Sequence, residues 1–278
     1  MSIETSDNKD QDLSTLVDGV TPHLKSSTFW GLASLGLMIA YLLLALFAKI
    51  EGNRLMFVPH RAGYQPSPEL ITLRNAHHQS FKVYYLAPPK ESSKVILFSH
   101  GYNTDIADYI SFAHQLHELG YGVLLYDYQG FGLSSGKPSE EGCYLDARAA
   151  FDFLVKELEI APQRIVVFGH SLGSAVALDL ALHRKVYHVI LDSPFVSIFR
   201  VTTSLPILPL DRFDNLSKVK NLPARCKLEI RFSQEDRMIP AWHSKKLYEA
   251  AVQNRPGAVQ QLVERTGRHQ DFAKIMQF

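Results

Sequence analysis

Short apolar runs alternate with longer amphipathic stretches over residues 95–264 of this chain. The runs are rich in β-branched residues and the stretches have helical periodicity, so the pattern predicts strands and helices in alternation. Because the runs are apolar at successive positions, we expect a mostly parallel sheet covered by helices on both faces. The predicted strands are VILF (95–98), VLLYDY (123–128), IVVFG (165–169), HVILDS (188–193), KLEIRFS (227–233) and VQQLVE (259–264).

Further segments complete one predicted α/β domain over residues 52–278. ITLRN (71–75) and FKVYYLA (81–87) predict an antiparallel hairpin ahead of the parallel strands. Ser139 is expected to cap the second predicted helix. The predicted helices cover roughly residues 105–119, 139–158, 171–184 and 243–252.

A run of twenty uncharged residues, Phe29 to Ala48, precedes this domain. As a helix rising 1.5 Å per residue it would span about 30 Å, the thickness of a bilayer core. It is longer than the apolar part of a signal peptide, and it ends in Leu46-Phe47-Ala48, with a large residue where a small-x-small cleavage site needs a small one. We therefore predict a transmembrane anchor over 29–48, with a signal peptide and a buried core helix as the alternatives.

The flanks of this run predict the orientation of a single-pass membrane protein. Lys49, Arg54 and Arg61 follow it closely, whereas Lys25 is the only Lys or Arg close before it. The positive-inside rule then predicts a cytosolic carboxyl-terminal domain. Residues 1–28 are acidic and polar and predict a disordered tail.

Charge and cysteine content exclude several classes of protein. The 29 Lys and Arg residues nearly balance the 28 Asp and Glu residues, so the chain lacks the basic excess of a nucleic-acid binder. Cys143 and Cys226 are too few for a disulfide scaffold. A hydrophobic content of 46% indicates a folded globular protein, whose oligomeric state the sequence leaves open.

The glycine-rich segment GFGLSSGKP (130–138) matches neither common nucleotide-binding motif. Its third glycine comes one position too late for a dinucleotide fingerprint. Phe131 and Pro138 stand where a phosphate-binding loop requires Gly and Ser or Thr. The segment therefore predicts a turn.

The pattern Gly-His-Ser-Leu-Gly (169–173) lies between a predicted strand and a predicted helix. This is the context of a nucleophile elbow, in which flanking glycines let the backbone turn sharply and expose the serine hydroxyl. Ser171 is therefore the predicted nucleophile. A structural glycine-rich turn is the alternative.

A serine nucleophile needs a histidine base and an orienting carboxylate. In the chain order of a nucleophile-elbow fold, the acid follows the serine and the histidine follows the acid. His269 is the histidine that follows the last predicted strand, and Asp236 follows the strand before it. Asp192 and Glu235 are the rivals of Asp236. An oxyanion hole needs two backbone N–H groups, for which we select Tyr102, in the loop after the strand at 95–98, and Leu172.

Several motifs together resemble the α/β-hydrolase superfamily. They are SHGYN, DYQGFGLSSGKPSEEGCYLDARAAFDFL, GHSLGSAVA, LDSPFVSI, SQEDRMIP and TGRHQDF, within residues 52–278. The long block from Asp127 is the most specific and resembles the membrane-anchored branch of the superfamily, in which an arginine usually replaces Gln129. That branch includes protein depalmitoylases and lysophospholipases, so the resemblance implies a lipid-acyl ester or thioester as substrate.

The predicted function is thus that of a membrane serine hydrolase acting on acyl lipids or S-acylated proteins at a lipid bilayer. This chemistry requires no metal and no cofactor. Phe195, Phe199 and Leu208 belong to an apolar stretch that lines an acyl groove or covers the sheet. An acyltransferase, a serine peptidase and a non-catalytic acyl-binding protein remain the alternatives.

Overall fold

The protein is described here by a computed structural model that covers residues 26–57, 62–202 and 211–271. It divides into two compact units, with the boundary between Ala48 and Lys49. The predicted disordered tail, up to residue 25, lies outside the described residues, as does the predicted pocket residue Leu208.

The first helix, α1, runs from Ser26 to Met56. Its segment Phe29–Phe47 is long and apolar enough to cross a membrane, and only 6% of the most apolar window is buried. Large side chains such as Trp30 and Leu37 are 65% and 74% exposed. A core helix would bury such side chains, so this exposure argues against that alternative and leaves an anchor or a signal sequence.

Within the described residues, eight strands form one sheet in the order β1-β2-β4-β3-β5-β6-β7-β8. The pairs β1·β2 and β2·β4 are antiparallel and all other neighbours are parallel, which confirms the predicted mostly parallel sheet and its opening hairpin. The strands are β1 (Leu70–Arg74), β2 (Ser80–Leu86), β3 (Val95–Ser99), β4 (Gly122–Tyr126), β5 (Ile165–His170), β6 (His188–Asp192), β7 (Lys227–Phe232) and β8 (Gln260–Glu264).

Six further α-helices lie in the described part of the second unit. Ser139 caps the second of them, as predicted, by accepting a hydrogen bond from the Gly142 amide at 3.0 Å. That helix gives way to a π-helical turn over Phe153–Glu157 within the segment predicted as one helix. The helices are α2 (Ile106–Glu118), α3 (Glu140–Asp152), α4 (Leu172–His183), α5 (Phe199–Thr202), α6 (Asn215–Lys220) and α7 (Trp242–Asn254).

The continuous apolar runs arise because successive strand residues point to opposite faces of the sheet. In β3, Val95 and Leu97 belong to one hydrophobic cluster, whereas Ile96 and Phe98 belong to another with helix α2. Both faces are therefore packed. Because the central strands are parallel, their carboxyl ends lie along one edge, where the loops they lead into can form a site.

Candidate active site

Ser171 occupies a sharp turn between β5 and α4. Its backbone has φ 51° and ψ −116°. Residues other than glycine rarely adopt this conformation, which costs about 1–3 kcal/mol. A Cβ atom on Gly169 would lie 2.2 Å from the Gly173 carbonyl oxygen, and one on Gly173 would lie 1.9 Å from the Ser99 carbonyl oxygen. Only glycine fits at both positions, which explains the spacing of the motif.

Backbone hydrogen bonds hold this strained turn in place. The Ser171 amide donates to the Asp192 carbonyl at 2.9 Å. The Ser171 carbonyl accepts from the Ser174 amide at 3.0 Å and from the Ser174 hydroxyl at 2.6 Å. None of these bonds uses the Ser171 hydroxyl.

His269 and Asp236 form a buried pair at the same edge of the sheet. His269 Nδ1 lies 2.7 Å from Asp236 Oδ2, and the two residues are only 8% and 6% exposed. The other carboxylate oxygen, Oδ1, accepts from the amides of Met238 and Ile239 at 2.9 and 2.8 Å. The Ser193 hydroxyl donates to Oδ2 at 2.7 Å.

These contacts decide the charge of Asp236. Burial opposes ionisation, but the hydrogen bonds from His269, the Ile239 amide and Ser193 favour the charged form more strongly and lower the pKa to about 2. Asp236 is therefore a carboxylate at neutral pH, able to hold a proton on His269 Nδ1.

One cavity of about 490 Å³ brings the predicted residues together. Ser171, His269 and Tyr102 all line it, and Asp236 lies behind His269. Leu172 is the first residue of α4, so its amide is at a helix amino terminus, where N–H groups lack partners within the helix. The geometry can support acyl transfer to a serine, with negative charge developing near that terminus.

Two predicted pocket residues, Phe195 and Phe199, lie within the described residues. Phe195 is 1% exposed and belongs to the hydrophobic core, and Phe199 begins the short helix α5. Neither is among the described residues that line the Ser171 cavity. Its apolar side chains include Tyr102 and Met238, which are 42% and 52% exposed.

Asp192, the rival acid, belongs to a second histidine–carboxylate pair. His170 Nδ1 lies 2.7 Å from Asp192 Oδ2, and the His170 ring centroid lies 4.8 Å from that of His269. Burial lowers the pKa of His170, although Asp192 acts in the opposite direction. His170 also lines the Ser171 cavity, so both imidazoles belong to the site.

Sequence reasoning assigned no role to Ser193 or Arg265, which directly follow β6 and β8. Their positions after strands were the only available signal.

The other rival acid, Glu235, is exposed and accepts a hydrogen bond from the Gly267 amide at 3.0 Å. No group of three or more His, Cys, Asp and Glu side chains suited to a metal occurs in the described part of the chain.

The family described as "Serine aminopeptidase, S33" matches residues 90–270, the segment that contains the elbow, Asp236 and His269. The chain belongs to this family of α/β-hydrolases. The predicted superfamily and fold are therefore confirmed.

Curated relatives agree with this placement. A putative α/β hydrolase of Acanthamoeba polyphaga mimivirus is 36% identical over 162 residues, covering 56% of this chain and 60% of the relative. The α/β-hydrolase domain-containing proteins aho-3 of Caenorhabditis elegans and 17C of Homo sapiens are each 29% identical, over 72% and 76% of this chain and 62% and 63% of theirs. The chain thus spans about three fifths of the length of these relatives. It resembles the branch of the superfamily formed by the α/β-hydrolase domain-containing proteins.

Solved structures show the same fold at low sequence identity. An esterase of Pyrococcus furiosus superposes with a TM-score of 0.63 at 19% identity, covering 78% of this chain and 92% of the esterase. An α/β-hydrolase of Vibrio vulnificus gives a TM-score of 0.61 at 23% identity, covering 75% and 77%.

Proposed function

We propose that this chain is a membrane-anchored serine hydrolase that cleaves acyl esters or thioesters. Ser171 is the nucleophile, His269 the base and Asp236 the orienting acid. The observation that carries the proposal is that Ser171, on its strained turn, lines one cavity with an imidazole held 2.7 Å from a buried carboxylate. This is the arrangement that activates a serine hydroxyl.

In the first half of the reaction, Ser171 Oγ attacks the acyl carbonyl carbon while His269 Nε2 accepts the hydroxyl proton. The carbonyl oxygen becomes an oxyanion, which the amides of Leu172 and Tyr102 stabilise. His269 then gives its proton to the leaving alcohol or thiol, and the acyl group remains on Ser171.

The second half releases the acyl group to water. His269 removes a proton from the water molecule, whose oxygen attacks the acyl-enzyme carbonyl, and then returns that proton to Ser171 Oγ. Asp236 stays ionised throughout and stabilises the transient imidazolium. Its pKa of about 2 supports this role.

Three observations support a lipid-acyl substrate. The exposed apolar helix α1 requires an apolar partner, and a bilayer supplies one. Tyr102 and Met238 give the cavity an apolar wall. The similar Pyrococcus furiosus protein is named an esterase. The substrate proposed is a long-chain acyl ester of a lipid or an acyl thioester of a protein.

The substrate class is tested on the full-length protein in detergent micelles. We expect hydrolysis of long-chain acyl thioesters or oxyesters, labelling of Ser171 by a fluorophosphonate probe, and no cleavage of aminoacyl peptide amides. An esterase of the same fold serves as the control for the probe. Absence of labelling where the control reacts contradicts a serine hydrolase, and faster turnover of peptides than of acyl esters indicates a peptidase.

The anchor is tested separately. We expect the full chain to stay in the membrane pellet after alkaline carbonate extraction, because a helix with about twenty apolar residues inserts stably. A reporter fused at the carboxyl terminus should be accessible from the cytosol only. Release of the intact chain into the supernatant contradicts the anchor, and a reporter accessible from the opposite side contradicts the orientation.

A further inference from the structure

A buried arginine links the two histidine–carboxylate pairs. Arg265, directly after β8, is 6% exposed. Its Nε donates to Asp192 Oδ1 at 2.7 Å and its Nη2 lies 3.3 Å from Asp192 Oδ2, a two-point contact that matches the fork of a guanidinium to a carboxylate. Asp192 in turn binds His170.

The same guanidinium contacts the loop that carries His269. Its Nη1 lies 3.4, 3.3 and 3.2 Å from the carbonyl oxygens of Thr266, Gly267 and Arg268, the three residues directly before His269. A loop whose carbonyls share one buried donor has little freedom to shift the imidazole that follows.

A third contact leads to Asp236. Arg265 Nη2 donates to the Ser193 hydroxyl oxygen at 3.0 Å, and that hydroxyl donates to Asp236 Oδ2 at 2.7 Å. A guanidinium has donors only, so Ser193 must accept from it and is left with its own proton to give to Asp236. The guanidinium and the Asp236 carboxylate thus require the same orientation of the Ser193 hydroxyl.

We propose that Arg265 is a positioning residue that holds His269 and Asp236 in register, through the loop carbonyls and through Ser193. The inference rests on the proposed function, since it assigns Arg265 a part in the same reaction. The competing role is that of a counter-ion that only neutralises Asp192. A positioning role needs the planar fork, whereas a counter-ion needs only the charge, so lysine distinguishes the two.

Arg255 supplies a matched control. It is also a buried arginine, 4% exposed, and its guanidinium donates to the carbonyls of Leu222, Pro223 and Cys226 at 2.9, 3.1 and 2.6 Å. It precedes β8, at the edge of the sheet opposite the Ser171 cavity. Arg255→Lys therefore tests the cost of losing a buried guanidinium away from the site.

The experiment measures fluorophosphonate labelling of Ser171 in full-length Arg265→Lys, Arg255→Lys and wild-type protein in micelles. We expect Arg265→Lys to lower the maximal labelling rate constant by about 10- to 100-fold, with probe affinity within about twofold. Arg255→Lys should lower the thermal midpoint and keep the wild-type labelling rate. The low-field proton resonance of His269 Nδ1, assigned by its loss in Asp236→Asn, should shift or broaden in Arg265→Lys only.

A folded Arg265→Lys protein that labels at the wild-type rate overturns the proposal, as does a change confined to the His170 resonance. If Arg265→Lys fails to fold, Ser193→Ala tests the positioning role instead. This variant keeps the Arg265 contacts to Asp192 and removes the hydroxyl that links Arg265 to Asp236. We expect a several-fold slower labelling of Ser193→Ala, and an unchanged rate overturns the proposal. A wild-type protein that the probe never labels refutes the proposed function instead.

Discussion

Replacement of Ser171 by alanine is expected to lower acyl-ester turnover by about 10⁴- to 10⁶-fold without unfolding the protein. The loss is large because the hydroxyl oxygen forms the covalent bond in both halves of the reaction. The fold should survive because the amide and carbonyl of residue 171 make the hydrogen bonds that hold the turn. Alanine has the same steric cost as serine at φ 51°.

The measurement compares initial rates on a long-chain acyl thioester and oxyester, with thermal midpoints as the check on folding. Ser244→Ala is the matched control, since Ser244 is 1% exposed in α7 and does not line the described cavity. This control should keep wild-type activity within about twofold. Retention of a tenth or more of the activity in Ser171→Ala would refute the assignment of the nucleophile.

The turn around Ser171 could be predicted from sequence because its causes are local. Glycines 169 and 173 are required by contacts within the strand–turn–helix unit and with the adjacent strand end at Ser99. The order of the strands also allowed the two other proposed catalytic residues, which are distant from Ser171 in sequence, to be predicted. Asp236 and His269 follow β7 and β8, and parallel strands bring the loops after them to one edge of the sheet.

The Arg265 network could not be predicted in this way. Its contacts with Asp192 and Ser193 join residues 73 and 72 positions apart, and no periodicity or motif spacing fixes which donor meets which acceptor across such a distance. The apolar stretch with Phe195 shows a second limit. An apolar residue beside a site suits the core and a pocket equally, and the structure buries Phe195 in the core.

Replacement of Asp236 by asparagine should be almost as damaging as loss of the nucleophile, with turnover falling by about 10⁴-fold. The surroundings of Asp236 determine how an amide would sit there. Its Oδ1 accepts from two backbone amides, Met238 and Ile239, so an asparagine must place its oxygen at that position. The amide NH₂ group then takes the place of Oδ2, facing His269 Nδ1 and Ser193.

An NH₂ group at that place donates to His269 Nδ1 instead of accepting from it. The imidazole proton must then reside on Nε2, which can no longer accept the Ser171 proton. Glu235→Gln is the matched control, because the exposed Glu235 accepts a backbone hydrogen bond from Gly267 and a glutamine oxygen can accept the same bond. Rates within about threefold of wild type are expected for Glu235→Gln. Equal losses in the two variants would mean that the carboxylate of Asp236 does not orient the base.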